Sequence, residues 1–424
     1  MLLAGGRVID PASGKVRLVD ILVEDGRIAR VGKGIRARDA QRIDCRGKHI
    51  APGFIDMHCH LREPGYEDAE TILTGTQSAL VGGFTRVCPM PNTDPPVDSE
   101  AMVRFQIERA EQAGYASVHP VGCCTRNRAG KELAEIGSMR EAGAVAVSDD
   151  GDWVSDPRVM RRALEYAKAF DMPVISHCEY DGLSDGVSNE GLVSTRLGLR
   201  GKPWPSETAA AARDIMLAEF VGARVHIAHV SCAATVDLIR WAKLRRVQVT
   251  AEVCPHHFTL TDASLAGFDT NFKVNPPLRT EPDRLAVVEG VVDGTIDVIA
   301  TDHAPHTSIA KEVEFDKARP GIIGFETAFS LGYEQFVLSG LMSPARYIEK
   351  LTLAPARIMG LRTPSVAEGT EAELVILDLK AQWTFSSAQI MSKSHNTPFL
   401  ERTMQGLVVG GVLGEEHFWL LHAA

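Results

Sequence analysis

Through the middle of the chain, apolar runs of strand length alternate with amphipathic stretches of helical period. The strand candidates are residues 54–60, 84–92, 117–123, 144–149, 173–178, 225–230, 247–254 and 297–302, and helical patterns lie at 67–82, 98–113, 156–171, 205–221 and 233–245. Near-continuous apolar strands, each followed by a helix with one polar face, are the pattern of a parallel sheet covered by helices. Eight such units predict an α/β fold of the (β/α)8, TIM-type barrel kind; a doubly wound open sheet is the alternative.

The two ends follow the shorter period of half-buried strands. Arg7–Asp10, Asp20–Glu24, Arg27–Val31 and Arg42–Asp44 are strand-like and separated by turns, as are Ala372–Asp378 and Gly406–Gly410, whereas Gly47 to Gly53 reads as a turn. Neither end holds enough apolar side chains for its own core. Pairing them into one small β-sandwich resolves this, with residues 1–50 and 366–424 forming that module and 51–365 the barrel.

The polar residues that interrupt the apolar runs are not scattered. His60, Asn92, Asp150, His177, His229 and Asp302 each fall at or just beyond the C-terminal end of a predicted strand, the face on which barrel enzymes build their sites. In Phe54-Ile-Asp-Met-His-Cys-His60, residues two apart point the same way, so His58 and His60 present two imidazoles to one side. Four imidazoles (His58, His60, His177, His229) and two carboxylates (Asp150, Asp302) suffice for two adjacent divalent ions, zinc or similar, with Asp150 as the bridge. His119, His226 and His303 read as structural, while His256 and His257 end the seventh strand and could line the pocket.

Composition narrows the partners. The chain is 45% hydrophobic and 24% charged with a formal net charge of −10, and has no basic block, which argues against nucleic acid or an anionic membrane. Its eight cysteines form no C-x-x-C pair and read as buried thiols of a reducing compartment. With no signal-peptide pattern and no apolar run of membrane-spanning length, a cytoplasmic location is expected.

Several motifs together resemble the class I dihydroorotases of the amidohydrolase superfamily. They are Pro52-Gly-Phe-Ile-Asp-Met-His-Cys-His-Leu-Arg-Glu-Pro-Gly65, Met90-Pro-Asn-Thr93, Ser148-Asp-Asp-Gly151, His177-Cys-Glu179, Ala228-His-Val-Ser231, Lys273-Val-Asn-Pro-Pro-Leu-Arg279, Ala300-Thr-Asp-His-Ala-Pro-His306 and Gly321-Ile-Ile-Gly-Phe-Glu-Thr327. The resemblance implies reversible cyclisation of N-carbamoyl-L-aspartate to L-dihydroorotate in pyrimidine biosynthesis, with one or two zinc ions. It also implies a homodimer and, as in some relatives, docking to aspartate transcarbamoylase. Asp302 would then be general base and acid. Arg62, whose fork suits a carboxylate, would bind the ring substituent with Asn92 and His306. Asn275 and the Pro320-Gly321 backbone match further substrate contacts.

Two stretches depart from the pattern. Thr307-Ser-Ile-Ala-Lys311 stands where relatives usually carry acidic residues, and Arg319-Pro320 differs near the substrate loop. A hydantoinase or allantoinase is the nearest rival activity, but those relatives bridge their metals with a carboxylated lysine, and Ser148-Asp-Asp-Gly151 offers none. A catalytically silent homologue acting as a structural partner is disfavoured, because all six candidate ligands are present.

Overall fold

The computed structural model describes residues 1–414 and the strand Glu416–Trp419. Eight short parallel strands form the barrel: Phe54–Cys59, Phe84–Pro89, a third in two pieces at Ser117–Val118 and Val121–Gly122, then Ala146–Val147, Val174–Ser176, Val225–Ile227, Val249–Val253 and Val298–Ile299. Each pairs in parallel with the next. The ring closes where the Asp302 amide donates to His58 O at 3.0 Å and the His60 amide to His303 O at 2.8 Å. An open doubly wound sheet has no such closure, so that alternative falls.

The third strand is broken because Pro120 has no amide to donate. His119 still donates to Val87 O, and Pro120 O accepts from Val145, so the two pieces hold opposite neighbours. Met57, Cys88, Val121, Ala146, Ile175 and Val298, one from each of six strands, share a buried cluster with Ala354 and Ile358 of the helix Leu353–Met359. Residues of opposite strands meet only inside a barrel, so this cluster is the apolar plug beneath the site.

All five helical patterns form helices, at Ile72–Val81, Glu100–Ala113, Pro157–Lys168, Pro205–Val221 and Ala233–Leu244. The first begins later than its pattern because Thr71 caps it reciprocally with Thr74.

The chain ends share one eight-stranded sheet. Its order is Glu416–Trp419, Thr403–Leu413, Glu373–Thr384, His49–Pro52, Leu2–Asp10, Lys15–Glu24, Arg27–Gly32, with Arg42–Asp44 also on Leu2–Asp10. His49–Pro52, read from the sequence as part of a turn, is a strand. It joins the two ends, pairing in parallel with Leu2–Asp10 and antiparallel with Glu373–Thr384. Alternation explains how the sheet serves two cores: Leu374, Ile376, Ile50 and Val8 pack into the module's own cluster, while Val375, Leu377, Ala51 and Ile9 join the barrel's.

Candidate metal centre and substrate pocket

A cavity of about 210 Å³ opens at the C-terminal ends of the barrel strands. It is lined by every site residue expected from the sequence except His58, together with Gly151, Ala304 and Arg319. His58 lies directly beneath, fully buried.

Three of the four imidazoles are oriented from behind. His58 Nδ1 donates to Glu252, a fully buried carboxylate of the Val249–Val253 strand, leaving the Nε2 lone pair to face Asp150 Oδ1 at 3.4 Å. His60 Nδ1 donates to Asn92 Oδ1 at 2.9 Å, and its Nε2 lies 3.1 Å from Asp302 Oδ1. His177 Nε2 donates to Glu179 at 3.1 Å, which turns Nδ1 toward Asp150 Oδ1 at 3.4 Å and His229 Nε2 at 2.9 Å. Such outer partners fix the tautomer and aim of metal-binding imidazoles.

Two groups of potential ligand atoms result, each within 4.8 Å: His58 with Asp150 and His229, and His58 with His60 and Asp302. His58 Nε2 and Asp150 Oδ1 are both buried without a hydrogen-bond partner. Lone pairs facing lone pairs in a buried site require positive charge between them. The nitrogen and carboxylate donor set suits a divalent ion of the zinc type. Asp150 Oδ1 faces His58, His177 and His229, while Oδ2 faces His60 at 3.7 Å, so its carboxylate stands between the groups. Burial works against the ionised carboxyl of Asp302, but the imidazoles around it, His60 first and then His58 and His229, outweigh this and hold Asp302 well below the usual carboxylate range.

Three site residues adopt left-handed backbone without being glycine: Arg62 at φ 63°, His229 at φ 34° and Asp302 at φ 47°. Strain of this kind persists only where surrounding bonds impose it. At Asp302 the barrel-closing bond to His58 O does so, with Thr301 next to it held by Asp56 through its amide at 3.0 Å and its hydroxyl at 2.5 Å.

The same cavity carries a cation. Arg62 Nε donates to Pro305 O at 3.1 Å, and its Nη2 lies 3.4 Å from His306 Nε2. Among the described residues no carboxylate pairs with this half-buried guanidinium, and burial pushes its pKa down to about 10. The His306 ring is neutral, pushed far down by burial and by Arg62, and its Nε2 donates to Pro320 O at 2.8 Å. Asn275 reaches the cavity from the far side. Its Nδ2 donates to Glu179 at 2.6 Å, and its Oδ1 accepts from Lys202 at 2.7 Å.

His303 points away from the cavity, as alternation requires, stacks on Phe325 and lies 3.3 Å from Glu70. His256 and His257 do not line the cavity. His257 Nε2 donates to Pro276 O at 3.0 Å, and both rings lie beside Cys254, whose thiol burial pushes well up and keeps protonated. The functional group missed in the sequence is the backing layer of Glu252, Glu179 and Lys202. His226, read as structural, sits with Nε2 3.3 Å from Glu252 Oε2 and its Nδ1 2.8 Å from the Thr250 hydroxyl. The signal for Glu252 was a single carboxylate inside an otherwise uncharged strand, which must find a partner.

A dihydro-orotase-like family model matches residues 47–234. The chain is 51% identical over 416 residues to the dihydroorotase of Pelotomaculum thermopropionicum, covering 97% of each. It is 48% identical over 410 residues to that of Syntrophotalea carbinolica, covering 96% of each. Among solved structures it is similar in fold to the L-hydantoinase of Arthrobacter aurescens, with a TM-score of 0.87 at 23% identity over 98% of this chain and 95% of that one. A D-hydantoinase from Thermus sp. gives 0.82 at 24% identity, covering 98% and 94%. The chain belongs to the dihydroorotase family.

Proposed function

We propose that this protein is a dihydroorotase, closing N-carbamoyl-L-aspartate to L-dihydroorotate with loss of water, and the reverse, in pyrimidine biosynthesis. The observation that carries the reading is the half-buried Arg62 guanidinium, without a paired carboxylate among the described residues, in the cavity it shares with the histidine–aspartate cluster. A cyclic amide bearing a carboxylate supplies that partner while presenting its ring amide to the cluster; a ring without the carboxylate leaves the guanidinium unpaired.

In this reading His58, His60, His177, His229, Asp150 and Asp302 would hold one or two divalent ions, zinc by the donor set, with Asp150 the carboxylate placed to serve both groups. Bound there, the ions supply a Lewis acid for the ring carbonyl and lower the pKa of the attacking water. The remaining steps belong to the chain. Arg62, with Asn92 beside it, seats the substrate carboxylate and sets which ring amide faces Asp302, while His306, fixed on Pro320 O, shapes the edge of that seat. Asp302, ionised at neutral pH, takes a proton from the attacking water and delivers one to the departing ring nitrogen; in synthesis the transfers reverse. Asn275, Pro320 and Gly321 bound the ring on its other side.

The test is an assay of the metal-loaded protein in both directions at several pH values. Opening the ring creates a second carboxylate and releases a proton. The equilibrium should therefore move toward dihydroorotate by about tenfold for each unit of falling pH above the carboxylate range. Absence of turnover, or an equilibrium indifferent to pH, refutes the reading.

A further inference from the structure

The wall formed by His306, Pro320 and Gly321 is held by residues outside the cavity. Lys311, only 4% exposed, ends the short helix Ser308–Lys311. Its Nζ donates to Arg319 O at 3.0 Å and Gly321 O at 3.1 Å, the carbonyls on either side of Pro320. No carboxylate pairs with this buried amino group among the described residues. Asn396, 5% exposed and far along the chain, completes the arrangement. Its Nδ2 donates to the same Gly321 O and to Ala304 O, both at 3.0 Å, and its Oδ1 accepts from the His306 amide at 3.0 Å. Gly321 itself has φ 131°, and a Cβ there would lie 2.8 Å from the Ala304 Cβ and 3.1 Å from His306 Nε2. The strand of chain at Pro320 is thus pressed against the His306 ring with no room to shift inward.

A buried amine without an acid is a poor choice for stability alone, since an apolar side chain would fill the space without desolvating a cation. What an amine provides here is two donors for two carbonyls that flank a residue with no amide of its own. An amino group keeps at least two N–H donors whether or not it is charged, so the grip does not depend on its titration.

We propose that Lys311 and Asn396 are positioning residues that clamp the Pro320–Gly321 backbone and, through Pro320 O, the His306 ring, so that the substrate meets this wall in one register. The inference rests on the dihydroorotase reading for its kinetic consequence, but the clamp itself is a property of the free protein.

The experiment compares wild type with Lys311→Met and Asn396→Ala in two measurements. Hydrogen exchange of residues 312–322 in the free protein should quicken by about tenfold in each variant, the effect of losing one well-placed hydrogen bond. KM for dihydroorotate should rise by about tenfold with kcat changed less than about threefold, because the wall binds ring and product alike and supplies no group to the proton transfer. The double variant should be less than additive, since both side chains hold Gly321 O. A lowered melting temperature with exchange and KM both unchanged overturns the proposal and leaves the pair as a plain structural staple. If wild type does not turn over dihydroorotate, the functional reading fails, and the exchange measurement still decides the clamp. If Lys311→Met does not fold, Asn396→Ala carries the same two measurements.

Discussion

The two walls of the cavity are built on different principles. The metal-facing wall hangs on barrel strand ends: His58 and His60 from the first strand, then Asp150, His177, His229 and Asp302, with barrel-closing bonds at His58, His60 and Asp302 and the carboxylates Glu252 and Glu179 behind His58 and His177. The substrate-facing wall, His306 to Gly321, is a loop with only the short helix Ser308–Lys311 in it, fixed by side-chain bonds to carbonyls from Lys311, Asn396 and His306. Chemistry that needs ligands fixed in place sits on rigid strands; recognition, which must admit and release a ring, sits on a segment held by a few separable bonds.

If this division is right, damage to the first wall should abolish turnover and damage to the second should weaken binding. The largest effect is expected from removing the metal. Chelation, or His177→Ala, should bring turnover to background while the circular dichroism spectrum stays native, because the apolar plug beneath the site does not include the ligands. Turnover in protein shown to be metal-free would break the comparison. Next, Asp302→Asn should lower kcat by about 10²- to 10⁴-fold, the range for losing a general acid–base group, with substrate KM and metal content little altered. A change confined to KM would remove the proton-transfer role.

The same division governs what the sequence made visible. Strand periodicity and the position of polar residues at strand ends placed His60, Asn92, Asp150, His177, His229 and Asp302 around one cavity, and the structure brings them together there. His49–Pro52 was hidden because it lies between two glycines and is too short to show alternation, although its pairing with both chain ends fixes it. Glu252 was visible only as an isolated carboxylate; that it backs His58 depends on two strands 194 residues apart. Lys311 and Asn396 carry no local pattern at all, since their roles are set by bonds to carbonyls, which every residue possesses.

The proposed Asp150 bridge sharpens the first wall further. Asp150 arrives with its carboxylate in place, whereas a carboxylated lysine must first capture carbon dioxide. Stripped protein should therefore recover activity with metal alone in carbon-dioxide-depleted buffer, and Asp150→Ala should lose far more activity than Asp149→Ala. Asp149 faces away, taking the Thr125 amide at 3.0 Å. A bicarbonate requirement would move the bridge to another residue.

The smallest effect concerns stability on the second wall. Burial, with Lys273 adding repulsion, pushes the Lys311 pKa from 10.5 down to about 7. Between those values the unfolded chain holds a proton that the folded chain does not, so stability rises with pH in this window. The gain is at most about 1.4 kcal/mol per unit. Lys311→Met should remove that part of the slope, as read from urea unfolding at pH 7 and pH 9. An unchanged slope would mean that Lys311 keeps an ordinary pKa.

The pairing of the two walls is tested by one specificity ratio: kcat/KM for dihydroorotate against dihydrouracil, the same ring without the carboxylate, in wild type and Arg62→Met. Wild type should prefer dihydroorotate by at least about a thousandfold, because a site built around an unpaired guanidinium rejects a ligand that leaves it so. Arg62→Met should lose most of that preference, through dihydroorotate, while its slow action on dihydrouracil stays level. A wild-type protein that opens both rings equally, or a variant that keeps the preference, would contradict the assignment of Arg62 and with it the reading of this cavity as a dihydroorotase site.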